Sequence, residues 1–408
     1  LGDVYKRQIL LYVISWFLLL AVWNTYFWDD WLNYFPKSEI ENHLRSGPFT
    51  GVFPPLVYIQ RLMAEYFPAS FRLFAFVSFP IATLALWGCL RSFARLTRVE
   101  SLAIIWLFML SPTNSARFSM TIFRYTSANM FFFAACYLYL RKQSALSRLF
   151  ALCLFFLSFD TASFFVFMLV PLGISMLEHY DRGVPPSRLV KKNLDFIFIG
   201  PAVWFIEPLL NPTTDLVRDA YYTPTIAGVT RGLVIGGLLM ILTTFAFRIR
   251  KWRYNSHRGG IQLLVGLILC WLGIFPYMAI GHFPNLYSLF IGFVPGASDW
   301  DSRHQLLLPL GLALAIVGII NLLNDSKVRR SALSVATFFS ILNLSFAQES
   351  YLDSIKTARV IEAFRSDEKI RELRFALIND LTLRFNARGR TIRSVSYTHL
   401  TLPTILLV

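Results

Sequence analysis

Cysteine and histidine are scarce in this chain, 4 and 6 of 408 residues. Cys89, Cys136, Cys153 and Cys270 each stand alone inside an apolar run, which excludes a disulfide framework and a zinc cluster and leaves the redox compartment open. Charge is thin as well: only 15% of residues are Asp, Glu, Lys or Arg. The excess of base over acid, a formal +15, does not argue for nucleic acid, because the basic residues fall in short clusters between apolar runs. Such clusters are explained by membrane topology and by anionic lipid. There is no G-x-G-x-x-G, P-loop, H-E-x-x-H or nucleophile elbow, and no internal repeat or low-complexity tract. What remains is 55% hydrophobic and 16% aromatic, the composition of a polytopic membrane protein.

Apolar runs separated by charge predict an all-α protein with about eleven transmembrane helices by the usual length criterion. They fall near 9–28, 70–90, 100–115, 124–140, 147–159, 161–179, 194–210, 229–248, 260–281, 305–323 and 331–347. The short third to sixth runs read as two tight hairpins. Alternate connections carry eighteen Lys and Arg, among them Arg91, Arg98, Arg141, Lys142, Arg148, Lys191, Lys192, Arg258, Arg329 and Arg330, against nine in the opposite set. The positive-inside rule places the richer set in the cytoplasm and the first loop and C-terminal segment outside.

The first run ends at Asn24-Thr25-Tyr26-Phe27-Trp28-Asp29-Asp30-Trp31, two adjacent carboxylates wrapped in aromatic rings. Carboxylates are expelled from lipid and Trp and Tyr collect at headgroup depth, so Asp29 and Asp30 belong at a membrane surface. The loop that follows, 29–69, carries helical signals of its own. Ser38 with Glu41 forms a capping box, and Leu56, Ile59, Leu62, Met63 and Tyr66 share one face of a segment suited to the interface plane. Other outer segments supply Arg117 and Arg124, seven apart and so on one helical face, together with Asp160, Glu207, His282, Arg303 and His304. The metal-ligand reading of His282 and His304 has no supporting spacing, so no cofactor is expected.

Many spans, an acidic pair just outside the first of them, a long first outer loop and outer-face arginines together resemble the GT-C superfamily of integral-membrane glycosyltransferases. The resemblance covers the architecture of about residues 9–393, and FWDDW is its residue-level anchor. It implies transfer of a sugar from a polyprenyl-phosphate donor to a glycan, lipid or protein acceptor of the cell envelope. It also implies catalytic acids at Asp29 and Asp30 and a location in the bacterial inner membrane. The chemistry is coherent on its own terms. Inverting glycosyl transfer needs a base for the acceptor hydroxyl, and a carboxylate near lipid and beside a like charge is suited to that work. The lipid phosphate leaving group calls for Arg, whose planar fork grips phosphate oxygens and stays charged, with Arg124, Arg303 and Arg117 as candidates in that order. Asp160, Glu207, His282 and His304 are supporting candidates.

Two alternatives stay open. An O-antigen polymerase or ligase-like protein also has many spans and outer arginines, although its large loop usually comes late in the chain. A non-enzymatic transporter or flippase would show inverted repeats and helices broken near the midplane. The domain reading is a transmembrane unit over 9–348 and an outer-face helical segment over 349–394, whose charged sequence has helix-like apolar spacing. Leu1–Gln8 and Val395–Val408 resemble translated sequencing-adapter read-through and are expected to be foreign to a fragmentary chain.

Overall fold

The computed structural model describes residues 2–21, scattered positions between 59 and 67, 69–91, 96–114, 117, 119, 122–142, 144–159, 161–180, 183, 185–210, 224–249, 254–281, 305–324 and 328–366. Among these, every regular element is helical. In chain order they are α1 (Gly2–Ala21), α2 (Ala69–Leu90), α3 (Arg98–Leu110), α4 (Phe123–Arg141), α5 (Ala145–Ser158), a 3-10 helix (Ala162–Met168), α6 (Leu169–Tyr180), α7 (Pro186–Lys192), α8 (Leu194–Leu210), α9 (Ile226–Ile249), α10 (Tyr254–Ala279), α11 (Leu308–Asn324) and α12 (Val328–Ser366). The physical reason is backbone hydrogen bonding: in an apolar medium each N–H and C=O has to find its partner within its own segment. Three stretches, Ala69–Leu90, Arg258–Ala279 and Val328–Leu352, are long and apolar enough to cross a membrane, and shorter apolar helices accompany them.

Helix ends follow local chemistry. At the start of α3, Thr97 Oγ1 accepts from the Glu100 amide at 3.2 Å while the Glu100 carboxylate accepts from the Thr97 amide at 2.6 Å, a reciprocal capping box. Ser144 caps α5 by accepting from the Ser147 amide at 3.1 Å. Gly281, at φ 87°, turns the chain after α10, and its amide donates to the Met278 carbonyl.

Three predicted boundaries change. The run 161–179 begins as a 3-10 helix and becomes α-helical only at Leu169. The last span and the first part of the charged segment after it are one continuous helix, α12. Residues 2–8 continue α1 without a break.

Ion pairs fix which helix ends lie together. Arg258, near the start of α10, pairs with Glu100 at the start of α3. Asn321, near the end of α11, donates to the same carboxylate at 2.7 Å. Arg141, at the end of α4, reaches the Cys89 carbonyl near the end of α2 and pairs at 2.8 Å with Glu178 near the end of α6. Arg148 of α5 pairs with Asp195 of α8. Arg98, Arg141, Lys142, Arg148 and Arg258 thus share one end of the bundle with the α7 lysines, and Arg91 follows directly after α2 at that end.

The packing has two styles. Around α4 it is aromatic: Phe132 is fully buried and meets Phe133, Phe155, Phe164 and Phe167 at centroid distances of 5.4–6.0 Å. Between α10 and α11 it is backbone against backbone. Gly259, Gly266 and Gly273 recur every seven residues on α10, and Gly311 and Gly318 do so on α11. A Cβ on Gly266 would run into the Ala315 backbone, and one on Gly318 into that of Leu263. Small residues that let helix backbones touch are how membrane helices gain contact without a hydrophobic driving force.

Candidate functional site

The site builds from a proline in α2. Pro80 has no N–H, so the carbonyl of Phe76 four residues back lacks its helical donor. The Tyr12 hydroxyl of α1 supplies one at 2.6 Å, and its ring lies 5.2 Å from that of Phe76. One residue before the proline, Phe79 presents its ring to the bundle interior, where it is buried.

Into this place comes the turn after α3. With 13 residues α3 stops well short of a full crossing, and Pro112 follows its last residues. Among the described residues of the turn, Ser111, Thr113, Asn114, Arg117 and Ser119 are all buried. Irregular backbone is tolerated at such depth only inside protein or along a cavity. Part of the cost is met locally, as Ser111 and Thr113 share a hydroxyl bond at 3.1 Å and the Asn343 amide of α12 donates to the Leu110 carbonyl at 2.8 Å.

Arg117 is the centre of the arrangement. It is 1% exposed, and its guanidinium carbon sits 3.8 Å from the ring centroids of both Trp16 and Phe79. Its Nε donates to the Asn114 carbonyl at 3.0 Å. Among the described residues the Nη1 atom has no hydrogen-bond partner, and neither does either side-chain atom of Asn114. No carboxylate pairs with Arg117 among the described residues. Desolvating a guanidinium costs several kcal/mol, which two buried cation–π contacts of about 2 kcal/mol each offset in large part. The Nη1 atom is left as a buried donor suited to an anionic oxygen.

Compared with family models, curated proteins and solved structures, the chain matches none.

The sequence-derived candidates divide sharply. Asp29, Asp30, Asp160, His282, Arg303 and His304 lie outside the described residues, as do the interfacial helix around Ser38 and the segment beyond Ser366; Glu207 falls within α8 with its side chain outside them. Arg117 and Arg124 are described, and the expectation that they share a helical face is corrected. Arg117 belongs to the buried turn, ahead of α4, and Arg124 to the first turn of that helix, half-buried. Spacing of seven implies a shared face only if the helix is continuous, and here it starts at Phe123. Among the described residues no cluster of His, Cys, Asp and Glu gathers to hold a metal.

Two polar features escaped the sequence reading. Arg72, one of the nine basic residues of the poorer set of connections, is buried in the first turn of α2. Glu100 is buried at the opposite end of the bundle, where it accepts from Gln262 and Asn321 at 2.7 Å, from the Thr97 hydroxyl at 2.6 Å, and from Arg258. The T-x-x-E spacing before an apolar run was the available signal for the second. Its partners, more than 150 residues away, left none.

Proposed function

We propose that this chain is an integral-membrane glycosyltransferase of the GT-C kind, with about eleven spans, that moves a sugar from a polyprenyl-phosphate donor to a cell-envelope acceptor. Asp29 and Asp30 serve as the acidic pair that takes the acceptor proton. Arg117, with Arg124 and Arg303 as further outer-face cations, binds the phosphate released with the lipid. The supporting observation is the buried guanidinium of Arg117, flanked by Trp16 and Phe79 with its Nη1 edge unsatisfied. A phosphate oxygen arriving there would supply the missing negative charge in surroundings where it counts for most. The bacterial inner membrane and an outward-facing first loop belong to the same proposal.

The test is reconstitution of the chain with a polyprenyl-phosphate sugar donor. Asp29→Asn and Asp30→Asn are expected to lower transfer by about a hundredfold or more, the scale of a lost general base. Arg117→Lys is expected to weaken donor binding, because a point charge replaces a planar fork. Unchanged transfer in both Asn variants at normal protein level would refute the catalytic assignment.

One observation favours a second reading, a transporter or flippase. Phe79 lies about midway along α2, so the turn holding Arg117 interrupts the bundle near mid-height, as broken helices do in transporters. Movement of a lipid-linked sugar across vesicles without glycosyl transfer would establish that reading.

A further inference from the structure

Away from Arg117, on the flank where α2, α4 and α5 meet, a groove of about 430 Å³ runs between Leu84 and Gly88 on one side and Tyr137, Phe150 and Leu154 on the other. Its volume is in the range of sites that take an apolar ligand, about 300–1,000 Å³. Gly88 makes the groove's floor: a side chain there would collide with the Tyr137 ring, which instead lies against the helix. Leu84 and Phe150 are 61% and 57% exposed, so the walls face outward from the bundle.

One end of the groove is different. Arg91, the residue after α2, is its one charged lining residue among the described residues, with its guanidinium 5.2 Å from the Trp87 ring centroid. Lys142, the residue after α4, holds its ammonium 5.9 Å from the Tyr137 ring. These helix ends are tied together, since Arg141 donates to the Cys89 carbonyl. Both cations are exposed, and neither pairs with a carboxylate among the described residues; the nearby Glu178 is engaged by Arg141. Trp and Tyr beneath Lys and Arg is the arrangement of a membrane interface, with an apolar channel below and positive charge above.

We propose that this groove binds one anionic glycerophospholipid of the surrounding leaflet, an acyl chain lying along Leu84, Gly88 and Tyr137 and the phosphate held by Arg91 and Lys142. The charge at the mouth selects an anionic headgroup over a zwitterionic one, and the apolar length below selects a lipid over a free anion. This site is separate from Arg117 and does not depend on the transferase reading.

The experiment is native mass spectrometry of the full chain released from nanodiscs holding equal phosphatidylglycerol and phosphatidylcholine. The wild-type chain is expected to retain one phosphatidylglycerol in preference. Arg91→Gln with Lys142→Gln should reduce that preference by up to about thirtyfold, about fivefold for each basic side chain near a membrane surface. Both positions are exposed, so an unchanged thermal midpoint confirms that the double variant is folded. Ala134→Phe, which fills the groove, should remove retention of both lipids. Equal retention of the two lipids by the wild type, or undiminished preference in the double variant, overturns the proposal. So does displacement of the bound lipid by millimolar inorganic phosphate, which would mark a soluble-anion site.

Discussion

Two buried charges in this molecule are handled in opposite ways. Glu100 is surrounded by donors: Thr97 from its own turn, Gln262 and Arg258 from α10, and Asn321 from α11. Each remaining lone pair is satisfied, which is the condition under which a buried carboxylate is tolerated. Glu100→Gln is therefore expected to destabilise the protein by about 1–3 kcal/mol, because an amide group would face amide donors and lose the charge that receives Arg258. Arg258 is 41% exposed in its side chain, which keeps the loss from being larger. Thermal unfolding in detergent followed by Trp fluorescence measures it, with Thr97→Ala as a milder change of about 1 kcal/mol through the lost cap. Equal midpoints for Glu100→Gln and wild type would contradict the account. Arg117, by contrast, meets two rings, the Asn114 carbonyl and the Tyr12 hydroxyl, and among the described residues its Nη1 atom finds no acceptor.

The pairing of α10 with α11 rests on glycine. Because the two backbones touch at Gly266 and Gly311, a branched side chain at either position cannot be absorbed by rotamer adjustment and has to push the helices apart. Gly266→Leu is expected to cost about 3 kcal/mol or more and to separate Asn321 and Gln262 from Glu100 as it does so. Gly237→Leu is the control: nothing lies within 4 Å of a Cβ there, so the same change on α9 should leave the unfolding midpoint where it was. Loss of fold in the control alone would show the packing account to be wrong. In α2 the device differs. Pro80 removes a hydrogen bond and Tyr12 replaces it from a neighbouring helix, so the break is repaired in trans and the ring of Phe79 is left facing Arg117.

At the scale of the whole molecule, Arg91, Arg98, Arg141, Lys142, Arg148, Lys191, Lys192 and Arg258 gather at one end while the turn of Arg117 lies within the bundle. The positive-inside rule then gives a direct expectation. In a chain whose four cysteines are replaced, Lys191→Cys should react with an impermeant maleimide only from the cytoplasmic side, and Ile226→Cys only from the outside. The opposite pattern would invert the topology and with it the placement of the transferase site. Much of this arrangement was readable from sequence. The runs at 70–90, 124–140, 229–248 and 260–281 appear as α2, α4, α9 and α10, and the clustering of base at alternate connections appears as a single basic end. Composition and periodicity decide these because lipid admits only self-satisfied helices and because charge has to lie outside them. The site was less legible. Residue types nominated Arg117 and Arg124, but their spacing was read as one helical face, since nothing local announces that α3 stops early and that the turn folds inward. That outcome depends on Trp16, Phe79 and Asn343, each far away in sequence. The sequence alone determined an all-helical, membrane-suited chain with asymmetric charge, through free energies that each residue contributes to its own segment. Only the tertiary structure decided which charges are buried, which are satisfied and which helices touch through glycine, because those are properties of contacts between segments.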